Sequence, residues 1–177
     1  QVFVALVIMA LVTSLISAPL MNTLLSRRRL SDINSLINKK HIIKSNATTK
    51  EEVIAELCES ISNTYKLDKN EIMQAVLERE NSFSTGIANY LALPHCRYDK
   101  LQKPALAIAI NKQGIDFNNA DSTPAKLIFL LITPENKNEL QLQLLANIVN
   151  KFQNRQAIES ILELEDISKI ETELRKL

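Results

Sequence analysis

The sequence has no tryptophan and only two glycines, two cysteines and two histidines among 177 residues, and aromatic residues make up 5% of it. Average usage of about 7% glycine would supply roughly a dozen, so Gly86 and Gly114 are expected where other residues do not fit. Cys58 and Cys96 lie far apart with no CxxC pair, which argues against a zinc cluster or a disulfide-dense scaffold and points to free thiols in a reducing compartment. No metal site is expected. An excess of one charge is missing too: 21 basic residues face 20 acidic ones, for a net charge of +1. Bulk electrostatics therefore give no support to a nucleic-acid partner. Repeats and low-complexity tracts are also absent.

The charges that are present avoid the first 26 residues altogether, which contain no Asp, Glu, Lys, Arg or His. From Val2 to Leu25 the chain is an apolar run of 24 residues, which as a helix would extend about 36 Å, enough to cross a hydrocarbon core of about 30 Å. A secretory signal peptide fits poorly, because Gln1 opens the run without a basic segment and Arg27, Arg28 and Arg29 come after it. Positive charge just beyond an apolar span keeps that side in the cytoplasm. Thr13, Ser14, Ser17 and Pro19 suit a helix packed among other helices; a buried core helix of a soluble protein is the competing reading. A start without Met and in mid-helix looks like a fragment of a longer membrane protein. The expected organisation is a final membrane helix over 1–26, a basic boundary over 27–32, and a domain over 33–177 on the cytoplasmic side of the cell inner membrane. The apolar helix, in isolation, is expected to promote self-association. With the three boundary arginines set aside, 18 of the 21 basic residues face 20 acidic ones, so the domain itself is nearly neutral.

Past the arginines the patterning is that of a globular α/β domain of roughly 145 residues, enough to bury a core. Residues 31–47 carry few regular signals, and His41, after Lys39 and Lys40, reads as a surface residue. Thr48 or Thr49 followed by Glu51 and Glu52 caps a helix over about 50–64 with Val53, Ile54, Leu57 and Ile61 on one face. A second amphipathic run covers 69–80. Apolar runs at 105–110 and 126–133 read as strands, the second a buried central one. Asn111–Gly114 reads as a turn into an extended Ile115–Phe117. Helical patterns then cover 139–152, 156–164 and 167–177.

Of the two histidines, His95 sits in Leu91-Ala92-Leu93-Pro94-His95-Cys96-Arg97, at the end of a short apolar run where a rigid element can hold a side chain at an exit loop. Pro94 fixes φ and has no N–H, which restricts the aspect of the ring. On these residues alone a structural role for His95 competes with a functional one. The same holds for Arg79, which reads equally as a helix-surface residue between Glu78 and Glu80.

The wider pattern resembles a known family. Glu78-Arg79-Glu80, Ser84-Thr85-Gly86-Ile87, Ala92-Leu93-Pro94-His95-Cys96-Arg97, Gly114-Ile115-Asp116-Phe117, Leu127–Leu131 with Pro134, and Gln141–Ala146 stand in the order and spacing of the IIA domains of the phosphoenolpyruvate-dependent sugar phosphotransferase system, of the fructose, mannitol and nitrogen-regulatory type. The resemblance covers about residues 33–177. It implies an α/β sandwich with a central mixed sheet flanked by helices, where periodicity alone supports only several strands among four or five helices. It further implies that His95 accepts a phosphoryl group from the histidine-containing phosphocarrier protein and that Arg79 lies beside the phosphohistidine. No cofactor is implied beyond that phosphoryl group, which originates in phosphoenolpyruvate. The residue types suit the task. Attack on phosphorus needs a neutral imidazole nitrogen, available near neutral pH. A guanidinium fork matches phosphate oxygens, and Ser84, Thr85 and Gly86, with Arg97 and Gln141, are candidates to add donors.

The departures from the family pattern are specific. Gln141 stands where the family typically has a second histidine; its amide orients or donates but does not titrate near neutral pH. Ala88, Tyr90 and Cys96 replace glycines and are expected to narrow the pocket beside His95. The apolar segment with its arginines resembles the last transmembrane helix of a monovalent cation/proton antiporter. Joined, the two resemblances imply a regulatory IIA-like domain that works on the membrane domain of a Na+/H+ or K+/H+ antiporter. The alternatives are a non-catalytic sensor that binds a ligand or partner, a sugar-transport IIA component, and a purely structural tail.

Overall fold

The computed structural model describes residues 32–177 together with residues 3, 4, 9 and 12–17. The chain divides into two compact units, residues 1–32 and 33–177. In the first, residues 3, 4, 9 and 12–17 are helical and exposed, and the Thr13 hydroxyl donates to the Met9 carbonyl one turn back at 2.9 Å. The membrane helix expected over 1–26 lies largely outside the described residues, as does the arginine boundary. Among the described residues, no helix is long and apolar enough to cross a membrane.

The second unit is built on five strands, β1 (Ile42–Lys44), β2 (Leu91–Ala92), β3 (His95–Tyr98), β4 (Ala105–Ile115) and β5 (Ala125–Pro134). Their order is β1-β4-β5-β2, with β3 also on β5. Only β4 and β5 are antiparallel; β1 on β4, and β2 and β3 on β5, are parallel. The sheet is therefore mixed. Five helices cover it: α1 (Lys50–Tyr65), α2 (Lys69–Ser82), α3 (Asn138–Lys151), α4 (Arg155–Leu162) and α5 (Ile167–Lys176).

The alternation of the two central strands dictates the layering. Ala105, Ala107 and Ala109 of β4 and Ile128, Leu130 and Ile132 of β5 pack with Val53, Ile54, Leu57 and Val76 of α1 and α2. Leu106, Ile108, Ile110, Leu127, Phe129 and Leu131 face the opposite way, toward Leu144, Ile148, Ile158 and Ile170 of α3–α5. A sheet buried on both faces reads as a continuous apolar run, which is why 126–133 shows no polar face. The helix ends are as local chemistry demands. Thr49 and Glu52 form a reciprocal capping box at α1, and Asp68, Asn154 and Asp166 accept N-terminal N–H groups of α2, α4 and α5.

Three sequence expectations change. The turn expected at Asn111–Gly114 is an irregularity inside one long strand, where the β4–β5 register shifts between Ile110 and Ile115. Asn111 is responsible: its amide donates to the Ala47 carbonyl and its oxygen accepts the Gly114 N–H, both at 2.8 Å, while Gly114 takes φ +85°. The 31–47 stretch contains β1, three residues too short for a period to show. His41 is buried at 4% exposure. Its Nδ1 pairs with the Ser60 hydroxyl at 3.1 Å and its ring stacks on Tyr65, so the surface assignment is corrected.

Phe129 is fully buried, its ring 4.8 Å from that of Phe152. Phe129→Ala is expected to lower stability by about 3–5 kcal/mol, read as a reduced urea midpoint at unchanged m-value.

Candidate functional site

β2 and β3 are one lane of the sheet with a break between them. Leu91 pairs with Leu127 and His95 with Leu131, so the register does not slip across Leu93-Pro94. Pro94 brings no N–H, but its carbonyl accepts the Leu131 N–H at 3.0 Å. A proline is tolerated here because the lane is an edge. Along its first half that edge is covered by residues 85–87 folding back as a hairpin: the Ile87 N–H donates to the Leu91 carbonyl at 2.9 Å and the Leu93 N–H to the Thr85 carbonyl at 3.0 Å. The cover runs out as the chain reaches His95.

The hairpin turn uses Asn89 and Tyr90 at φ +59° and +67°, with the Leu91 N–H donating to the Ala88 carbonyl at 3.3 Å. Asparagine takes this left-handed region readily, tyrosine rarely. Tyr90 is held there by its surroundings: its ring lies 4.3 Å from the Arg155 guanidinium carbon and 4.9 Å from Lys126 Nζ, and its carbonyl accepts the Lys126 and Leu127 N–H groups. Asn119 ties the hairpin from below, donating to the Leu91 carbonyl at 2.9 Å.

At the open edge, His95 Nδ1 lies 2.8 Å from the Leu93 carbonyl oxygen. A carbonyl only accepts, so Nδ1 carries the proton and the lone pair of the neutral ring is on Nε2. Burial holds the His95 pKa below its ordinary value, and the Arg79 charge acts in the same direction, against the Leu93 hydrogen bond and the Glu80 carboxylate. At neutral pH the ring is therefore uncharged.

His95 and Arg79 stand between two depressions. One, of about 260 Å³, is polar and is completed by Glu78, Arg97, Glu135 and Gln141. The other, of about 290 Å³, is mostly apolar and is walled by Phe83, Leu93, Leu145 and Val149 beside Ser84–Ile87. Arg79 sits in the last turn of α2 and spends one donor, Nη1, on the Phe83 carbonyl at 3.1 Å. The rest of its fork is available to an anion beside His95. Arg97 Nη1 donates to Asn138 Oδ1 at 2.5 Å, and Gln141 Nε2 to the Cys96 carbonyl at 3.2 Å. Both links tie β3 to the start of α3 and form a wall of the polar depression.

The expected phosphate donors in the 84–86 loop have other work. The Ser84 hydroxyl donates to the Phe117 carbonyl, and the Thr85 hydroxyl and N–H donate to Glu80. A Cβ on Gly86 would lie 2.3 Å from the Phe117 carbonyl oxygen and 2.9 Å from the Asn119 nitrogen, so this glycine is needed for close backbone packing. The three residues border the apolar depression, and their polar groups hold its shape. The crowding expected of Ala88 and Tyr90 is also corrected, because they line neither depression. Cys96 does line the polar one, with its side chain buried in the core beneath α1 and α2. Among the described residues no group of three or more His, Cys, Asp or Glu side chains is placed to hold a metal.

The sequence pattern assigns no site role to Glu80, Phe83, Glu135 or Asn138. Glu80 had a signal. With Ile72 and Val76 it is spaced four apart on the buried stripe of α2, and a carboxylate in an apolar stripe is there for a partner. Phe83 is 73% exposed, and the other two join the site only through the fold.

Two outcomes follow. Gly86→Ala is expected to cost about 1–3 kcal/mol, seen as a lowered thermal midpoint. Burial pushes the Cys58 and Cys96 thiols up to about 12, so at pH 8 both stay protonated. Neither cysteine is expected to react with Ellman's reagent until the protein is unfolded.

Comparison with known proteins places the fold. Residues 35–176 match the family described as phosphoenolpyruvate-dependent sugar phosphotransferase system, EIIA 2. The chain is 33% identical over 129 residues to the fructose-specific EIIABC component of Bacillus subtilis, covering 71% of this chain and 20% of that protein. It is 35% identical over 98 residues to the fructose-specific EIIA component of Haloferax volcanii, covering 55% and 64%, and 36% identical over 83 residues to the nitrogen regulatory protein of Pseudomonas aeruginosa, covering 47% and 54%. It thus spans less than two thirds of each of these relatives. Among solved structures, the nitrogen regulatory protein IIA-Ntr of Neisseria meningitidis superposes with a TM-score of 0.74 at 23% identity, over 80% of this chain and 98% of that one. The mannitol IIA protein of Escherichia coli superposes at 0.68 and 21%, over 77% and 97%. At those identities the structures speak for the shared fold, and the sequence matches carry the assignment: the chain belongs to the EIIA 2 family of the phosphoenolpyruvate-dependent sugar phosphotransferase system.

Proposed function

We propose that residues 33–177 are a regulatory phosphoacceptor domain in which His95 Nε2 takes a phosphoryl group from the histidine-containing phosphocarrier protein. The observation that carries this reading is the Nδ1 contact with the Leu93 carbonyl at 2.8 Å, which leaves the lone pair on Nε2 of a ring that lines both depressions together with Arg79. Attack by Nε2 forms a new P–N bond while the P–N bond to the donor histidine breaks. The donor ring departs as neutral imidazole, and the positive ring charge passes to His95, whose Nδ1 keeps its proton. Arg79 supplies a fixed planar fork for the equatorial oxygens. Gln141 adds no second titrating group. Relatives named as fructose-specific components and as nitrogen regulatory proteins support a phosphotransferase setting, and a solved complex of mannitol IIA with phosphorylated mannitol IIB gives precedent for exchange with a protein partner.

We further propose that this domain regulates the membrane part of a Na+/H+ or K+/H+ antiporter at the cytoplasmic face of the inner membrane. The support is the charge-free run over residues 1–26 followed by Arg27–Arg29. Removal of residues 33–177 from the full transporter is expected to alter ion flux or its response to phosphorylation. Unchanged flux under both conditions would overturn this part alone.

The phosphoacceptor reading is tested by incubating the chain with phosphoenolpyruvate and the general carrier proteins and measuring intact mass. Wild type is expected to gain one phosphoryl group and His95→Ala none; no gain on wild type overturns the reading. Arg79→Ala is expected to slow acceptance about a hundredfold, and Arg79→Lys to recover only part of the loss, because a point charge cannot replace the fork. Because the folded His95 pKa lies below the ordinary 6.5, the neutral ring persists to lower pH than free histidine, and the rate is expected to fall only below that value.

A further inference from the structure

The orientation of His95 traces back through two shared residues to one buried carboxylate. Glu80 is 2% exposed and occupies the position on α2 where a third aliphatic would complete the stripe of Ile72 and Val76. Its oxygens accept the Thr85 N–H at 3.3 and 3.2 Å and the Thr85 hydroxyl at 2.5 Å. The Thr85 carbonyl accepts the Leu93 N–H at 3.0 Å. The Leu93 carbonyl accepts His95 Nδ1–H at 2.8 Å. We propose that Glu80 is a positioning residue for His95: by clamping Thr85 it fixes the Leu93 carbonyl, which keeps the ring in its Nδ1–H tautomer and presents Nε2 to the polar depression.

The linkage is geometric. Successive hydrogen bonds share a residue rather than a peptide group, so what passes from Glu80 to His95 is position. Each link is short in reach: Thr85 and Leu93 face each other across the hairpin, and His95 is two residues beyond Leu93 on the same lane. The Leu93 carbonyl belongs to the amide with Pro94, which has no N–H of its own to draw that amide elsewhere. Burying a carboxylate is costly unless donors meet it, and here one threonine supplies a backbone and a side-chain donor together. A glutamine offers one acceptor oxygen for those donors, and an alanine none. The choice of a charged group also fits the phosphorylated state. Phosphoryl transfer leaves positive charge on the ring, and the Glu80 carboxylate favours that charge while Arg79 opposes it. The other charged groups at the ring are Glu78 on α2, Arg97 on β3 and Glu135 after β5, with neutral Gln141 from α3.

The use of this device rests on the phosphoacceptor reading, but its test does not. Ring 15N NMR of the folded full chain reads the His95 tautomer and titration directly. Wild type is expected to show protonated Nδ1 and bare Nε2. Glu80→Gln is expected to show a mixture of tautomers, a titration moved down by about half a pH unit, and phosphoryl acceptance slowed on the order of tenfold. Thr85→Val, which removes one donor and leaves the carboxylate in place, is expected to give a partial loss of the Nδ1–H form, and it carries the test should Glu80→Gln not fold. A folded Glu80→Gln, or failing that a folded Thr85→Val, with the wild-type tautomer and titration overturns the proposal. Failure of wild type to accept phosphate overturns the phosphoacceptor reading instead and leaves the tautomer result standing.

Discussion

The antiparallel pairing of β4 and β5 is the constraint from which the rest of the 33–177 unit follows. It runs from Ala105 opposite Ile132 to Ile110 opposite Leu127, and every side chain along it is buried on one face or the other. Strict alternation leaves no freedom of register, because a slip of one residue would turn the alanine row of β4 toward α3–α5 and the leucine and isoleucine row toward α1. With that pair fixed, β5 has one free side. The lane that fills it, β2 and β3, is pinned at Leu91–Leu127 and His95–Leu131. The place of His95 at the rim of the sheet is thus decided by the core.

The edge is also where the fold leaves His95 uncovered by the hairpin. Residues 85–87 cover the lane as far as Leu93 and no farther. Beyond that point α2 approaches from one face of the sheet with Arg79 and α3 from the other with Gln141, and His95 stands in the gap. Arg79 and Glu80 are consecutive, so their side chains leave α2 about 100° apart. One charge reaches the open depression and the other lies under the 84–86 loop. A single helix therefore delivers a cation to the open depression and a carboxylate to the loop behind it.

Much of this was legible in the sequence. The five helices of the unit stand where their apolar periods place them, because amphipathic stripes are local signals, and Thr49 caps the first of them. The buried β5 was visible as an unbroken apolar run. Pro94 before His95, and Arg79 sixteen residues upstream, marked the site through the pattern they share with the family. What the sequence hid is long-range. β1 is three residues long, and its partner lies more than sixty residues away. The side chain of Asn111 turns an apparent loop into a strand irregularity by bonding to Ala47. His41 looks like a surface residue beside two lysines until Ser60 and Tyr65 close over it. The hydroxyls of Ser84 and Thr85 look like phosphate ligands until Phe117 and Glu80 take them. In each case the deciding partner lies outside any local window, apart from Glu80, whose place on the apolar stripe of α2 was visible and whose meaning was not.

The arrangement around Tyr90 shows how the hairpin tolerates departures from a glycine-rich turn. A tyrosine in the left-handed region carries a conformational cost of order 1–2 kcal/mol. It is offset by two cations against the ring, each contributing about 0.5–1 kcal/mol at an exposed site, and by two backbone N–H groups on its carbonyl. Those anchors come from α4 and the start of β5, which are rigid through their packing in the core. The turn is therefore held from the side remote from His95, and the side that faces His95 is held by Glu80 and Asn119. Substitutions at the turn act on one set of anchors and the orientation of the imidazole depends on the other. This separation is why a bulky side chain five positions before His95 enters neither depression that borders the ring.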